Sequence, residues 1–215
     1  MRPLPLTAAA VLSAATLAVP VAPALAAGHG HGHVKTHAAH TASHDHLTQQ
    51  ERGASQALAN QLRQVTRLAD RAAASGRVSD VDRDAVGTAL QADADALTAL
   101  QDQLTTATTH HDLVDAVHQG ILVRAVARTQ FTVAAQAGHV RQQADALATT
   151  SPDLQTQADT AGADADTAIA AVLALTTDST RAEVNDARDA AEAALADAET
   201  ALETTVDDSA AAVTS

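Results

Sequence analysis

Residues 154–175 read LQTQADTAGADADTAIAAVLAL. Leu154, Ala158, Ala161, Ala165, Ala168, Val172 and Leu175 fall 4 and 3 residues apart in strict alternation, the spacing of a heptad stripe on one helix face. The next stretch repeats the pattern through Val184, Arg188, Ala191, Leu195, Ala198 and Leu202. Two helices are predicted, the first lined mostly by alanine and the second by alanine in alternation with larger side chains. Small side chains at a contact let helix axes approach to the short end of the ~8–10 Å range. The pair should therefore form a close antiparallel hairpin.

The same period continues toward the N-terminus, and residues with capping chemistry bracket it into five helices. Thr48 with Glu51 forms a capping box for the first helix, which Gly76 closes and whose seam is Leu58, Leu62, Val65, Ala69 and Ala72. Ser79 with Asp82 opens the second, whose seam includes Val86, Leu90, Leu97 and Leu104. Thr109 with Asp112 opens a third helix predicted to run to Ala148. Ser151 followed by Pro152 opens the fourth, with proline at the first helical position. Thr180 with Glu183 opens the fifth. In the third helix, Ile121 to Ala127 is apolar nearly all round, which suits a central element touching several neighbours. The predicted fold class is all-α: an elongated antiparallel bundle of about five helices, preceded by a His-rich arm without fixed structure.

Composition narrows the chemistry. The 215 residues include 56 alanines but no Cys, Trp or Tyr and a single Phe, Phe131. Alanine costs least to order in a helix, which offsets a core poor in large apolar side chains. Without cysteine there is no disulfide, thiol nucleophile or Cys-ligated metal cluster. A nucleic-acid partner is not expected, because the chain lacks the basic groove and stacking rings such binding needs. Net charge is −13, unevenly placed. Residues 47–149 carry 9 Arg against 11 acids, whereas residues 150–215 carry 2 Arg against 14. That distribution reads as a solvated acidic face, with docking of a basic partner or weak buffering of cations as the functional alternative.

The first residues supply an address. Met1-Arg2 is followed by an uncharged apolar stretch from Leu4 to Val19, then Pro20 and Pro23 ahead of Ala24-Leu25-Ala26. This is the pattern of a signal peptide over residues 1–26 rather than of a membrane anchor. The mature chain is expected outside the cytoplasm, secreted or loosely held at the cell wall, with no stable membrane insertion. Cleavage after Ala27 is the alternative cut. Domain boundaries follow: the arm over 27–46, the bundle over 47–207 and a short disordered tail over 208–215.

Seven of the eleven histidines lie in the arm: His29, His31, His33, His37, His40, His44 and His46. Imidazole suits Cu, Ni and Zn, and alternating glycines let neighbouring rings turn onto one ion. His37, His40 and His44 would share a face if that segment became helical. Cleavage after Ala26 leaves a terminus of Ala27, Gly28 and His29, whose amine, two amides and imidazole supply four nitrogens in a plane, the field Cu(II) and Ni(II) favour. The competing reading is a flexible, pH-responsive spacer. Elsewhere, Asp80, Asp82 and Asp84 imitate a calcium loop, but Ala85 and Gln91 occupy the positions that need Gly and Glu. His111, Asp115 and His118 share a face of the third helix and read as surface residues rather than as a metal half-site. No catalytic constellation is defined by spacing, so no enzymatic activity and no required cofactor are expected.

The segments Thr129 to Leu147 and Ala163 to Thr176, followed by the capped Ala/Asp helix, carry a family resemblance. Over residues 110–206 the chain resembles uncharacterised secreted helical proteins of actinobacteria. It departs from them at Thr129 and Thr132, where that group is expected to have a proline and a histidine in the long helix. The resemblance implies export, helices and a high-GC source, and no activity. The functional expectation is a non-catalytic scaffold or interaction protein of the cell envelope, with an envelope partner or self-association through the Ala-lined helices. Extracytoplasmic Cu, Ni or Zn binding through the arm is the alternative.

Overall fold

A computed structural model describes residues 36–74 and 76–212, with side chains over 48–74 and 76–203. The described residues form five α-helices and no strand: α1 Thr36–Ala74, α2 Asp80–Leu104, α3 His110–Thr150, α4 Gln155–Leu173 and α5 Arg181–Ala212. The expected all-helical class is what is found. The expected signal peptide over 1–26 and residues 27–35 of the expected arm lie outside the described residues.

Three of the predicted starts are built as the sequence requires. The Ser79 hydroxyl accepts from the Asp82 amide at 3.3 Å. At α3 the Thr109 amide donates to the Asp112 carboxylate at 2.9 Å, and the Asp112 amide returns a bond to Thr109 Oγ1. Thr180 and Glu183 make the same reciprocal pair, at 2.6 and 3.3 Å. Each cap satisfies amides that have no partner within the helix.

Other boundaries differ. The capping box at Thr48 and Glu51 does not begin a helix, because α1 already runs from Thr36. No glycine or proline interrupts the chain between Gly32 and Gly53, and Ala38, Ala39 and Ala42 favour helix. The C-terminal end behaves alike. With no breaker after Gly162, α5 continues past 207 to Ala212. Ser151 makes no side-chain cap; Pro152–Leu154 instead forms a single 3₁₀ turn, and α4 starts only at Gln155. Tight turns of this kind are common where a helix begins.

The long helix α3, about 60 Å at 1.5 Å per residue, organises the packing. Its first part closes one core with α1 and α2, through Leu58, Val65, Leu90, Leu97, Val123 and Ala127. Its last part closes a second core with α4 and α5, through Val140, Ala161, Ala168, Val172, Ala191 and Leu195. The α4–α5 contact is the most extensive between any two helices among the described pairs. Alanines 158, 161, 165 and 168 are all buried there, as the stripe predicted, while Leu154 is half-buried. One seam position is displaced: Arg188 is exposed, and Ala187 packs against Val126, Leu175 and Val184 instead. A guanidinium has no acidic partner inside that hydrophobic cluster and turns outward to Asp189 and Glu192. Ile121, expected within an all-round apolar stretch, is 42% exposed.

Two glycines set how closely α3 is approached. A β-carbon on Gly120 would lie 2.2 Å from Gln61 Oε1 and 2.4 Å from Leu58 Cδ2. On Gly138 it would lie 2.1 Å from the carbonyl oxygen of Arg77, which is backbone in the α1–α2 connection. Side chains can yield, but this backbone is held by the Ser79 cap and by Gln142, whose Nε2 donates to the Gly76 carbonyl at 2.9 Å. Gly138→Ala is therefore expected to destabilise by about 1–3 kcal/mol despite better helix propensity. Gly87 and Gly162 have nothing within 4 Å of such an atom. Alanine at either should stabilise, by up to about 1 kcal/mol. Thermal melts followed by circular dichroism check the opposite signs. A Gly138→Ala protein melting as high as Gly87→Ala would contradict the close approach.

Candidate functional site

Of the residues singled out for metal binding, Ala27, Gly28, His29, His31 and His33 lie outside the described residues. His37, His40, His44 and His46 lie within the helical backbone of α1, so 37, 40 and 44 keep the 3-and-4 spacing of a single face. His111 and Asp115 meet at 3.1 Å on the exposed start of α3, and His118 is also exposed. No group of three or more His, Cys, Asp or Glu side chains able to hold a metal ion is found among the described residues. Asp80 and Asp82 occupy the first turn of α2, where the helix dipole favours them.

Asp82 has a larger role than its motif suggested. It is buried, and its carboxylate meets Arg141 of α3, whose Nη1 also donates to Ser79 Oγ at 2.8 Å. The second guanidinium nitrogen, Nη2, bonds Asp166 of α4. One side chain, 17% exposed, thus links the cap of α2 to α4 across α3 and ties the two cores together. Planar forked donors make arginine suited to such a bridge.

The second polar feature is Asp93 on α2 and Gln130 on α3, only 2% and 1% exposed. Gln130 Nε2 donates to the carbonyl of Leu175 at 3.4 Å. Asp93 Oδ2 and Gln130 Oε1 have no hydrogen-bond partner among the described residues. Both residues line one cleft of about 620 Å³, bounded by α2, α3 and the segment joining α4 to α5. Burial pushes the Asp93 carboxyl up to about 7, from an ordinary 3.8. By contrast, the hydrogen bonds of Thr109 and Thr180 pull Asp112 and Glu183 below the usual carboxylate range.

These shifts act on stability with opposite signs. Between pH 4 and 7 the folded chain keeps a proton on Asp93 that the unfolded chain has lost. Asp93 should therefore lower stability by up to about 1.4 kcal/mol for each pH unit gained, levelling off above 7. The capping carboxylates contribute above their unfolded pKa and lose that contribution only as pH falls below it. Urea midpoints at pH 5 and 7 isolate the first effect, since Asp93→Asn should remove most of the decline. A decline of equal size in that variant would place its origin elsewhere.

Arg141, Asp93 and Gln130 were not singled out from the sequence, yet two of them leave a trace in it. Val86, Leu90, Asp93, Leu97, Leu100 and Leu104 run at spacings 4, 3, 4, 3 and 4, so Asp93 stands on the apolar seam itself. Gln130 stands likewise between Ala127 and Ala134, and Gln61 between Leu58 and Val65. A polar residue at a seam position lowers stability and sets register. Arg141 carries no such signal.

No known family model matches the chain, and no curated protein and no solved structure matches it. Among the described residues no helix is long and apolar enough to cross a membrane.

Proposed function

We propose that the chain is a non-catalytic helical scaffold or interaction protein, exported to the bacterial cell envelope. The observation that supports this reading is the outer surface of α4 and α5. Asp153, Asp159, Asp178, Asp186, Glu192 and Asp197 are all exposed, and the only arginines that these helices and the segments beside them contribute are Arg181 and Arg188. Such a surface, carried on a tightly packed alanine hairpin, presents fixed negative charge to a basic partner. The test is chemical crosslinking of the exported full chain in its native envelope, with and without Asp186, Asp189, Glu192, Asp197 and Glu199 changed to their amides. One defined adduct, lost in the neutralised variant and at high salt, is expected. An adduct insensitive to both changes overturns the reading.

A second reading, binding of Cu, Ni or Zn through the arm, is favoured by the crowding of seven histidines into residues 27–46. The 3-and-4 spacing of His37, His40 and His44 within α1 fits imidazole donors drawn from one helix face. Bound metal would be sequestered or delivered; no reaction is implied.

A further inference from the structure

The outer face of α1 is basic. Arg63, Arg67 and Arg71 are exposed and recur every four residues, on the side of the helix away from the buried Leu58, Val65 and Ala72. Arg124 Nη1 on α3 donates to Gln64 Oε1 of α1 at 3.3 Å, which sets that arginine beside the row. The exposed Arg128 follows one turn along α3. Asp70 is the one acid within residues 63–71, and α3 has none between Asp115 and Asp145. Among the described residues none of these five guanidiniums pairs with a carboxylate. A chain of net charge −13 thus holds a ridge of unneutralised arginine.

The same chain presents the complement. On α5, Asp186, Asp189 and Asp197 are exposed on the side away from Val184, Ala191 and Leu195, with Ala190, Ala193 and Ala196 exposed between them. The alanine seams of α4 and α5 are buried within one chain, so this outer face is what remains for docking. Arg63 to Arg71 covers about 12 Å of helix and Asp186 to Asp197 about 17 Å, so one row can lie along the other.

We propose that the arginine ridge of one copy docks on the acidic α5 face of a second copy, head to tail. The inference rests on the docking role proposed above for the acidic face and names its basic partner. Arginine forks match carboxylates, and their aliphatic stems cover the methyl groups of Ala190, Ala193 and Ala196. The two surfaces differ, so the contact is heterologous and leaves a free ridge at one end and free acids at the other. Repulsion between two negative copies is screened beyond a Debye length, about 8 Å at 0.15 M salt, whereas the opposed rows are in contact.

The test is sedimentation equilibrium of the purified exported chain at about 0.15 M and 1 M NaCl. At the lower salt the average mass should rise with concentration and not stop at a dimer. At the higher salt the dissociation constant should be at least about tenfold weaker. That measurement needs no variant to fold. Two variants then separate the faces, one with Arg63, Arg67, Arg71 and Arg128 changed to Gln, the other with Asp186, Asp189, Glu192, Asp197 and Glu199 changed to their amides. Each alone should be monomeric. Mixed, they should form a one-to-one complex and stop there, because each supplies the face that the other lacks. A mixture no more associated than its components, with both variants helical by circular dichroism, overturns the proposal. So does a parent chain that is monomeric at every concentration; polyglutamate bound by such a monomer would assign the ridge to an anionic polymer instead. If the envelope adduct persists while the parent chain is monomeric, this inference alone fails. If that adduct is also insensitive to neutralisation, the reading of the acidic face fails with it.

Discussion

Arg141→Met should lower the melting temperature by roughly 6–20 °C, from a loss of about 3–5 kcal/mol. The size follows from what is left behind. Asp82 is 8% exposed, and without Arg141 its carboxylate would keep only the Ser79 hydroxyl as a hydrogen-bond donor among the described residues. Removing one partner of a buried pair costs far more than the pair contributes, because the stranded charge retains its desolvation penalty. Adding Asp82→Asn to Arg141→Met should recover part of the loss, since the uncompensated charge is then gone. Asp166→Asn should cost less than about 1 kcal/mol, because Asp166 is well exposed and its bond with Arg141 competes with water. Lysine should not substitute, as a single ammonium cannot reach Ser79, Asp82 and Asp166 together. Urea unfolding of the four variants measures the series. An Arg141→Met protein within 1 kcal/mol of the parent, or an Asp166→Asn loss as large, would show that the bridge does not join the cores.

If export removes residues 1–26, the chain left beginning at Ala27 should bind its first equivalent of Cu(II) far more tightly than any later one. A free amine, the amides of Gly28 and His29 and the His29 imidazole offer four nitrogens in a square plane, the geometry copper(II) and nickel(II) favour and zinc does not. Two amide protons must leave, so affinity climbs with pH. His29→Ala should weaken the first site by roughly a hundredfold or more, equivalent to at least about 2.7 kcal/mol. N-terminal sequencing of the exported protein establishes the cut, and the visible d–d band follows the titration in a chain without Trp or Tyr. If the terminus is Ala27 and His29→Ala leaves the first equivalent as tight, no such site exists. A terminus at Gly28 moves His29 to second place and predicts only the weaker sites among His31, His33, His37, His40, His44 and His46.

What the sequence by itself determined is whatever is encoded within three or four residues. The caps at Ser79, Thr109 and Thr180 were legible because donor and acceptor sit on the same turn. The seams of α2 and α4 were legible because burial recurs with the helix period. Misplaced helix starts had a local cause as well: a capping box at Thr48 also fits a helix interior when nothing upstream breaks the chain. Tertiary structure alone decided how the helices rotate and slide against one another. An alanine stripe is nearly uniform along its length and so specifies contact without register, and a charged residue on it turns outward, as Arg188 does while Ala187 faces inward. Register in turn selects what long side chains can reach. Asp82 and Arg141 are 59 residues apart, and Arg141 and Asp166 are 25 apart. Asp93 and Gln130 announced themselves as polar residues on apolar seams, but only the crossing of α2 over α3 beside the α4–α5 segment placed both in one cleft. Contacts of that kind depend on the relative positions of whole helices, and no spacing within a single helix encodes them.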